Sequence, residues 1–304
     1  MGDSHLQLRI LDERRAYSPL RCLKAGWDFL RRWPVLPVVV LGTLIILTIF
    51  ASQIAPHSFR ETDLRQRNRP PIWMEDGGSE RILGGDVVGR DILSRLIHGA
   101  RVSVMVAGIS LVTGAIFGTA LGLIAGYYGG LIDEVLMRFV DIWFSIPFIL
   151  FALVVVLAFD PSLKVVLVLL GILAWSAFVR NIRAEVLLLK TTEYVAAARV
   201  SGASTLRIML KHLLPGVFNT VMVLASLRVG QLILAEASLS FLGAGIPSPI
   251  PAWGVMVADG RNYLDTAWWV STFPGLAILL TVMSFNFLGD WLRDKLDPRL
   301  RQVS

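Results

Sequence analysis

One cysteine and four histidines are all that the 304 residues hold of the side chains that most often bind metals. A lone thiol, Cys22, closes no disulfide within the chain and builds no thiolate cage. His5, His57, His98 and His212 are scattered and match no His-Glu-x-x-His or Cys/His spacing, so no metal site is expected. The sequence also lacks a Gly-x-x-x-x-Gly-Lys-Ser/Thr phosphate loop and any paired catalytic constellation, so no enzymatic activity is expected of it. Charge is sparse too: 17% of residues are charged and 55% hydrophobic, with a mean hydropathy of +0.64. That balance is too apolar for a soluble domain to cover with polar surface, and it points to a membrane protein.

Long apolar runs are what the chain has instead. A bilayer core of roughly 30 Å calls for about 20 apolar residues per helix. Residues 34–55, 102–126, 135–158, 164–184, 217–241 and 267–291 meet that length. They predict an all-α fold, a polytopic membrane bundle of about six transmembrane helices. The first run follows a long polar lead and exceeds a secretory apolar core, so it reads as an uncleaved anchor. The division that follows is a basic N-terminal segment 1–33, a first helix and outer loop 34–101, a core domain 102–291 with a connecting loop 191–215, and a tail 292–304.

Six crossings place both ends on one side. Arg9, Arg14, Arg15, Arg21, Lys24, Arg31 and Arg32 at one end and Arg293, Lys295, Arg299 and Arg301 at the other make that side cytoplasmic. Segment 180–216, with six basic residues, falls inside as well. The net charge of +6 thus serves orientation in membrane lipid, and no nucleic-acid partner is expected. The loop after the first span disagrees, since it lies outside yet holds eight arginines from Arg60 to Arg101, interleaved with seven acidic residues.

Within the second span, Gly114, Gly118, Gly122 and Gly126 recur every fourth residue, one helix face on which another helix can pack closely. Pro147 removes one backbone hydrogen bond from the third span, which a kink absorbs. Arg228 and Glu236 fall inside the fifth span, where an unpaired charge is costly. Eight residues apart, they lie near one face. Either they line a translocation route, or they form structural pairs with a second subunit. Asp141 after Arg138, and Asp290 before Arg293 and Asp294, have the spacing of local ion pairs. Pro247, Pro249 and Pro251 alternate before Trp253, and such a stretch makes no helix, so an extended outer loop is expected.

Segment 191–215 carries the most information. Thr192 can cap a short helix, Glu193 suits its first turn, and Gly202 can take the left-handed conformation that ends it. Ser204 or Thr205 can cap a second helix, and Pro215 interrupts its hydrogen bonding before the membrane. Ala196, Ala197 and Ala198 give the first helix a smooth surface of small side chains, flanked by Tyr194 and charges. Such a helix buries too little to stand alone, and it either ties two spans together or enters a groove on another protein.

The run Ala196-Ala197-Ala198, then Gly202, then Leu214-Pro215 resembles the signature loop of ABC-importer permeases, with Ala196 where Glu is usual and His212 where Ile is usual. In the peptide and nickel branch of that family both variants are ordinary, with Glu193-Tyr194-Val195 opening the motif. The stretch from Gly84 through Asp86, Gly89-Arg90-Asp91 and Ser94-Arg95 is similar to the same branch in its C-type permease, with Gly85 in place of Thr. Glu236 to Gly243, Trp253-Gly254, Asn286, Gly289-Asp290, Arg293-Asp294 and Leu296-Asp297-Pro298-Arg299 extend the likeness to the C-terminus.

The resemblance implies a type I importer fold and a permease subunit in the bacterial inner membrane, multi-pass, with both termini cytoplasmic. It implies that Glu193, Tyr194, Ala197, Ala198, Arg199, Gly202, Ala203, Leu214 and Pro215 form a coupling helix docked on an ATPase. The implied partners are a second homologous permease, two ATP-binding subunits and an extracytoplasmic solute-binding protein. ATP and Mg would be bound by those subunits, with no cofactor in this chain. Peptides are the leading solute, and nickel complexes, glutathione-like molecules and opines stay open. A different class, an ion-coupled secondary transporter with Arg228 and Glu236 as relay, would call for internal repeats, and none stands out.

Overall fold

A computed structural model describes residues 34–296. The basic segment 1–33, with Cys22, and the tail from Asp297, with Pro298, Arg299 and Arg301, lie outside the described residues.

The elements are helical throughout: α1 (Val35–Ile49), α2 (Ala51–Ile54), α3 (Ile92–Tyr128), α4 (Gly130–Ser145), α5 (Phe148–Phe159), α6 (Leu163–Leu189), α7 (Glu193–Val200), α8 (Thr205–Ile208), α9 (Leu214–Phe241), α10 (Trp253–Gly260) and α11 (Trp269–Leu296). Among the described residues four helices are long and apolar enough to cross a membrane: α3, α6, the run Thr205–Phe241 that contains α9, and α11. The pair α4 and α5 makes a fifth if it is one span, and α1 is a shorter apolar helix of 15 residues. The third span is therefore broken at Pro147 rather than kinked, with 84° between its halves. Pro147 lacks the N–H for an α-type bond, and Ile146 and Pro147 are both extended there.

Helix α3 starts ten residues before the apolar run, at an N-cap Asp91 whose Oδ2 accepts the Ser94 N–H at 2.8 Å. Its 37 residues span about 55 Å at 1.5 Å per residue, more than a bilayer core, so it projects beyond the membrane. The glycine face of α3 lies on α6 in parallel register. A Cβ on Gly122 would fall 2.9 Å from Ile182 Cβ, and one on Gly126 2.7 Å from Val186 Cβ. Gly114 meets Ala174 and Gly118 meets Trp175 and Phe178. One turn on α3 thus matches one turn on α6, and the missing side chains let the two backbones approach to van der Waals contact.

Three apolar clusters follow. Val106, Leu169, Leu170, Leu232 and Ile233 join α3, α6 and α9 in mid-bundle. Leu41 and Leu44 of α1 pack with Ile92, Trp253 and Trp269 at the end that carries segment 55–91. Leu123, Ile182, Val186, Val195, Ile208, Leu213 and Val217 pack at the opposite end.

At the first of these ends the arginines of the loop are held in place. Asp86 accepts hydrogen bonds from Arg90 Nε at 2.6 Å and from Arg95, and Asp259 of α10 accepts from Arg90 at 3.1 Å. Asp86, Arg90 and Arg95 are all buried. Burial alone would push the Asp86 carboxyl up, but Arg95 and Arg90, with the N–H groups of Arg90 and Val88, outweigh it and hold it below the ordinary value. Indole N–H groups add the ties Trp253 to Leu96 O, at 2.9 Å, and Trp269 to Gly85 O, at 3.4 Å. The proline stretch is not simply extended: a turn closes where Ile250 N–H donates to Pro247 O at 3.3 Å.

Candidate functional site

Segment 191–215 is assembled from saturated helix ends. Thr191 and Thr192 hydroxyls donate back to Leu188 O at 2.8 Å and Leu189 O at 2.6 Å, satisfying last-turn carbonyls of α6. Thr192 therefore stands at the N-cap position of α7 without capping it through its side chain. Lys190 Nζ donates to Gly126 O at 2.9 Å and fastens this end of α6 to α3. Helix α7 closes with Gly202 N–H to Arg199 O and Ala203 N–H to Ala198 O, both 3.1 Å, and Gly202 at φ +77°. That bonding is the left-handed helix terminator that glycine favours. Ser204 Oγ then accepts the Arg207 N–H and starts α8.

Beyond α8 the chain does not stop. A π turn, Met209–Leu213, leads into α9, with Pro215 in its first turn, so Thr205–Phe241 is continuous. Pro215 cannot donate the next α-type bond, and the widened turn ahead of it carries the helix past the gap. Helix α8 is thus one rigid piece with a membrane helix, and α7 joins it through the short turn at Gly202.

Burial divides this elbow sharply. In α7 only Val195 is buried, wedged among Leu123, Ile182 and Val186. Glu193, Tyr194, Ala196, Ala197 and Arg199 are exposed, Ala198 and Ala203 are half-buried, and Leu214 is half-buried below Pro215. Tyr194 lies 6.5 Å, ring to ring, from His212. Val200 is 90% exposed and Leu206 61% exposed, so two apolar side chains flank Gly202 largely uncovered by the described residues.

The charged residues of α9 part company. Glu236 is 1% exposed; Ser240 Oγ donates to its Oε1 at 2.7 Å, while Ser103 of α3 approaches the carboxyl without closing a hydrogen bond. Arg228 is half-exposed and donates to Gln231 Oε1 at 2.6 Å. The two do not share a face: eight residues at 100° each leave about 80° between them, enough to turn one inward and the other outward. Asn219, Thr220, Leu224 and Leu227 of α9 line a cleft of about 650 Å³ with Asn181 and Glu185 of α6 and Arg293 of α11, and Arg228 is not one of its walls. The local pair expected for Asp141 is replaced by one between helices, Arg180 to Asp141 at 2.6 Å, and Arg138 reaches Glu134 at 4.0 Å instead. Arg183 forks onto Asp133 of α4, with one bond at 2.6 Å. Ser103, Gln231 and Asp259 had no motif to announce them, and Ser240 lay unremarked within the Glu236 to Gly243 stretch; only the folded chain brings them to charged partners.

The described chain is thus a helical bundle with several helices long and apolar enough to span a membrane and an exposed elbow continuous with one of them. Residues 118–302 match the family described as binding-protein-dependent transport system inner membrane component, and the chain belongs to that family, whose members act with an ATPase and a substrate-binding protein. The dipeptide transport system permease protein DppC of Escherichia coli K12 is 44% identical over 93% of this chain and 95% of its own. DppC of Haemophilus influenzae is 36% identical over 96% of this chain and 99% of its own. The glutathione transport system permease protein GsiD of Pectobacterium atrosepticum is 38% identical, covering 92% and 94%. Among solved structures, the inward-facing MetNI methionine ABC transporter shares the fold, with TM-score 0.55, 23% identity and coverage of 70% of this chain and 98% of that one.

Proposed function

We propose that this chain is the permease subunit of an ATP-driven importer of short peptides and that it forms half of the translocation pathway beside a second, homologous permease. Two ATP-binding subunits hold ATP and Mg on the cytoplasmic side, where both termini of this chain lie. A solute-binding protein delivers the peptide from the other side. Helix α7 is the coupling helix: Glu193, Tyr194, Ala197, Ala198, Arg199, Gly202 and Ala203 dock on the ATPase, and Leu214 and Pro215 pass its movement into α9.

The observation that carries this reading is the elbow itself, anchored on the bundle by one buried residue of α7 and otherwise open, with Val200 and Leu206 uncovered. Apolar side chains so placed, outside the apolar spans, mark a protein contact. The peptide assignment follows the dipeptide relatives at 36 to 44% identity. Glutathione, the solute named for the relative at 38%, is itself a tripeptide and falls in the same chemical class. Of the two charged residues, Arg228 faces the route, and Glu236 holds α9 on its own chain.

Disulfide crosslinking of Val200→Cys to single cysteines in the ATPase subunits tests this reading. Crosslinks expected in the assembled complex, together with peptide uptake that needs ATP and binding protein, support it. An elbow that captures no second protein, or gradient-driven uptake by this chain alone, refutes it.

A further inference from the structure

We propose that the cleft between α6, α9 and α11, at the elbow end of the bundle, binds one phospholipid with an ammonium-bearing headgroup, its ammonium on Glu185 and its phosphate on Arg293. Both charges line the same space of about 650 Å³, Glu185 half-buried and Arg293 exposed. Among the described residues neither side chain has a hydrogen bond or an ion pair, so the two do not neutralise each other. Charges beside apolar spans are costly without a partner or water. A single ligand that satisfies both carries one positive and one negative group.

The rest of the lining shows what such a zwitterion is attached to. Glu185 and Arg293 stand just past the apolar runs 164–184 and 267–291, so both lie at the membrane border, where headgroups are. A Cβ on Gly216 would fall 2.7 Å from Leu189 Cδ1, which sets the end of α6 against the start of α9 and puts Glu185, one turn back, level with Thr220. Asn219 and Thr220 add amide and hydroxyl groups there. Beyond them Val223, Leu224 and Leu227 carry the α9 wall about 10 Å further into the apolar run, at 1.5 Å per residue. A charged mouth that continues into an apolar wall matches an amphiphile, with its headgroup at the border and an acyl chain along α9. The carboxylate accepts from the ammonium N–H groups, and the guanidinium fork matches two phosphate oxygens. A free peptide offers the same two charges but leaves the apolar wall uncovered.

The test uses the complex as it purifies from membranes, stripped of lipid in detergent and titrated under native mass spectrometry. The probes are phosphatidylethanolamine and phosphatidylglycerol with the same acyl chains, which differ in the ammonium. Wild type should hold phosphatidylethanolamine on the order of tenfold more tightly, the size of one hydrogen bond to a charged group. Glu185→Gln should erase that preference and leave phosphatidylglycerol binding unchanged, Glu185→Asp should keep part of it, and Arg293→Gln should weaken both lipids. Leu224→Trp, which fills the apolar wall and touches neither charge, should also weaken both. Equal affinity for the two lipids in wild type, or an undiminished preference in Glu185→Gln, overturns the inference. Displacement of the lipid by dialanine overturns it in favour of the solute, and loss of a subunit from the purified Glu185→Gln complex overturns it in favour of a protein contact.

Discussion

Replacing Gly202 probes coupling through backbone geometry alone. Its φ of +77° lies in the left-handed region, and a Cβ built there meets no atom within 4 Å. A side chain at 202 therefore clashes with nothing, and the whole effect is conformational. Left-handed backbone costs a residue with a Cβ about 1–2 kcal/mol, more for a β-branched one and less for Asn. That strain opposes the Ala203 to Ala198 and Gly202 to Arg199 bonds that turn the chain from α7 to α8. At about 1.4 kcal/mol per tenfold, Gly202→Val lowers the population of the docked elbow by roughly tenfold or more, Gly202→Ala by somewhat less, and Gly202→Asn least. ATPase stimulation by the binding protein, measured in the reconstituted complex beside peptide uptake, should fall in that order. Wild-type coupling in Gly202→Val, or equal damage from Asn and Val, would refute the reasoning, since only conformational strain ranks the three this way.

Substitutions at four further positions test what holds the bundle. Gly118→Leu drives a side chain into Trp175 and Phe178 of α6 and should cost about 1–3 kcal/mol or more, read as a lower melting temperature in detergent, whereas Gly108→Ala meets nothing within 4 Å and should be neutral or slightly stabilising. Glu236→Gln keeps an oxygen for Ser240 and should retain assembly and uptake; Glu236→Leu strips the buried hydroxyl of its acceptor and should destabilise by about 1–3 kcal/mol in the same melt. Poor uptake by a fully assembled Glu236→Gln complex would return Glu236 to the pathway. Asp86→Asn leaves Arg90 and Arg95 facing Asp259 alone and should cost about 3 kcal/mol or more. The Asp86 carboxyl lies below its ordinary 3.8, so its contribution is complete above that pH and is lost as pH falls through the lower folded value. Melting temperature in acid should accordingly fall further for wild type than for Asp86→Asn, and parallel acid profiles would contradict the assignment.

Legibility of the fold followed the range of the forces involved. Apolar length alone announces α3, α6, α9 and α11, because crossing a bilayer is a property of consecutive residues. The four-residue glycine interval gives one face of α3, and capping residues with Gly202 give the elbow, since both depend on near neighbours along the chain. Hydropathy loses α3 between Ile92 and Arg101, where Arg95, His98 and Arg101 dilute the run. Arg95 is nonetheless 1% exposed, because Asp86 lies nine residues away and Asp259 on α10 far beyond. The same limit separates Arg228 from Glu236: their spacing leaves an angle of about 80°, which straddles the border between the buried and open faces of α9. Sequence periodicity cannot say on which side of that border each falls. Ser103 and Ser240 decide it for Glu236 by giving its carboxyl a polar pocket on the inward side, while Arg228 stays half-exposed with the Gln231 amide as its partner among the described residues. A charge in a membrane helix is thus located by the partners that the fold brings to it, which its spacing along the sequence does not reveal.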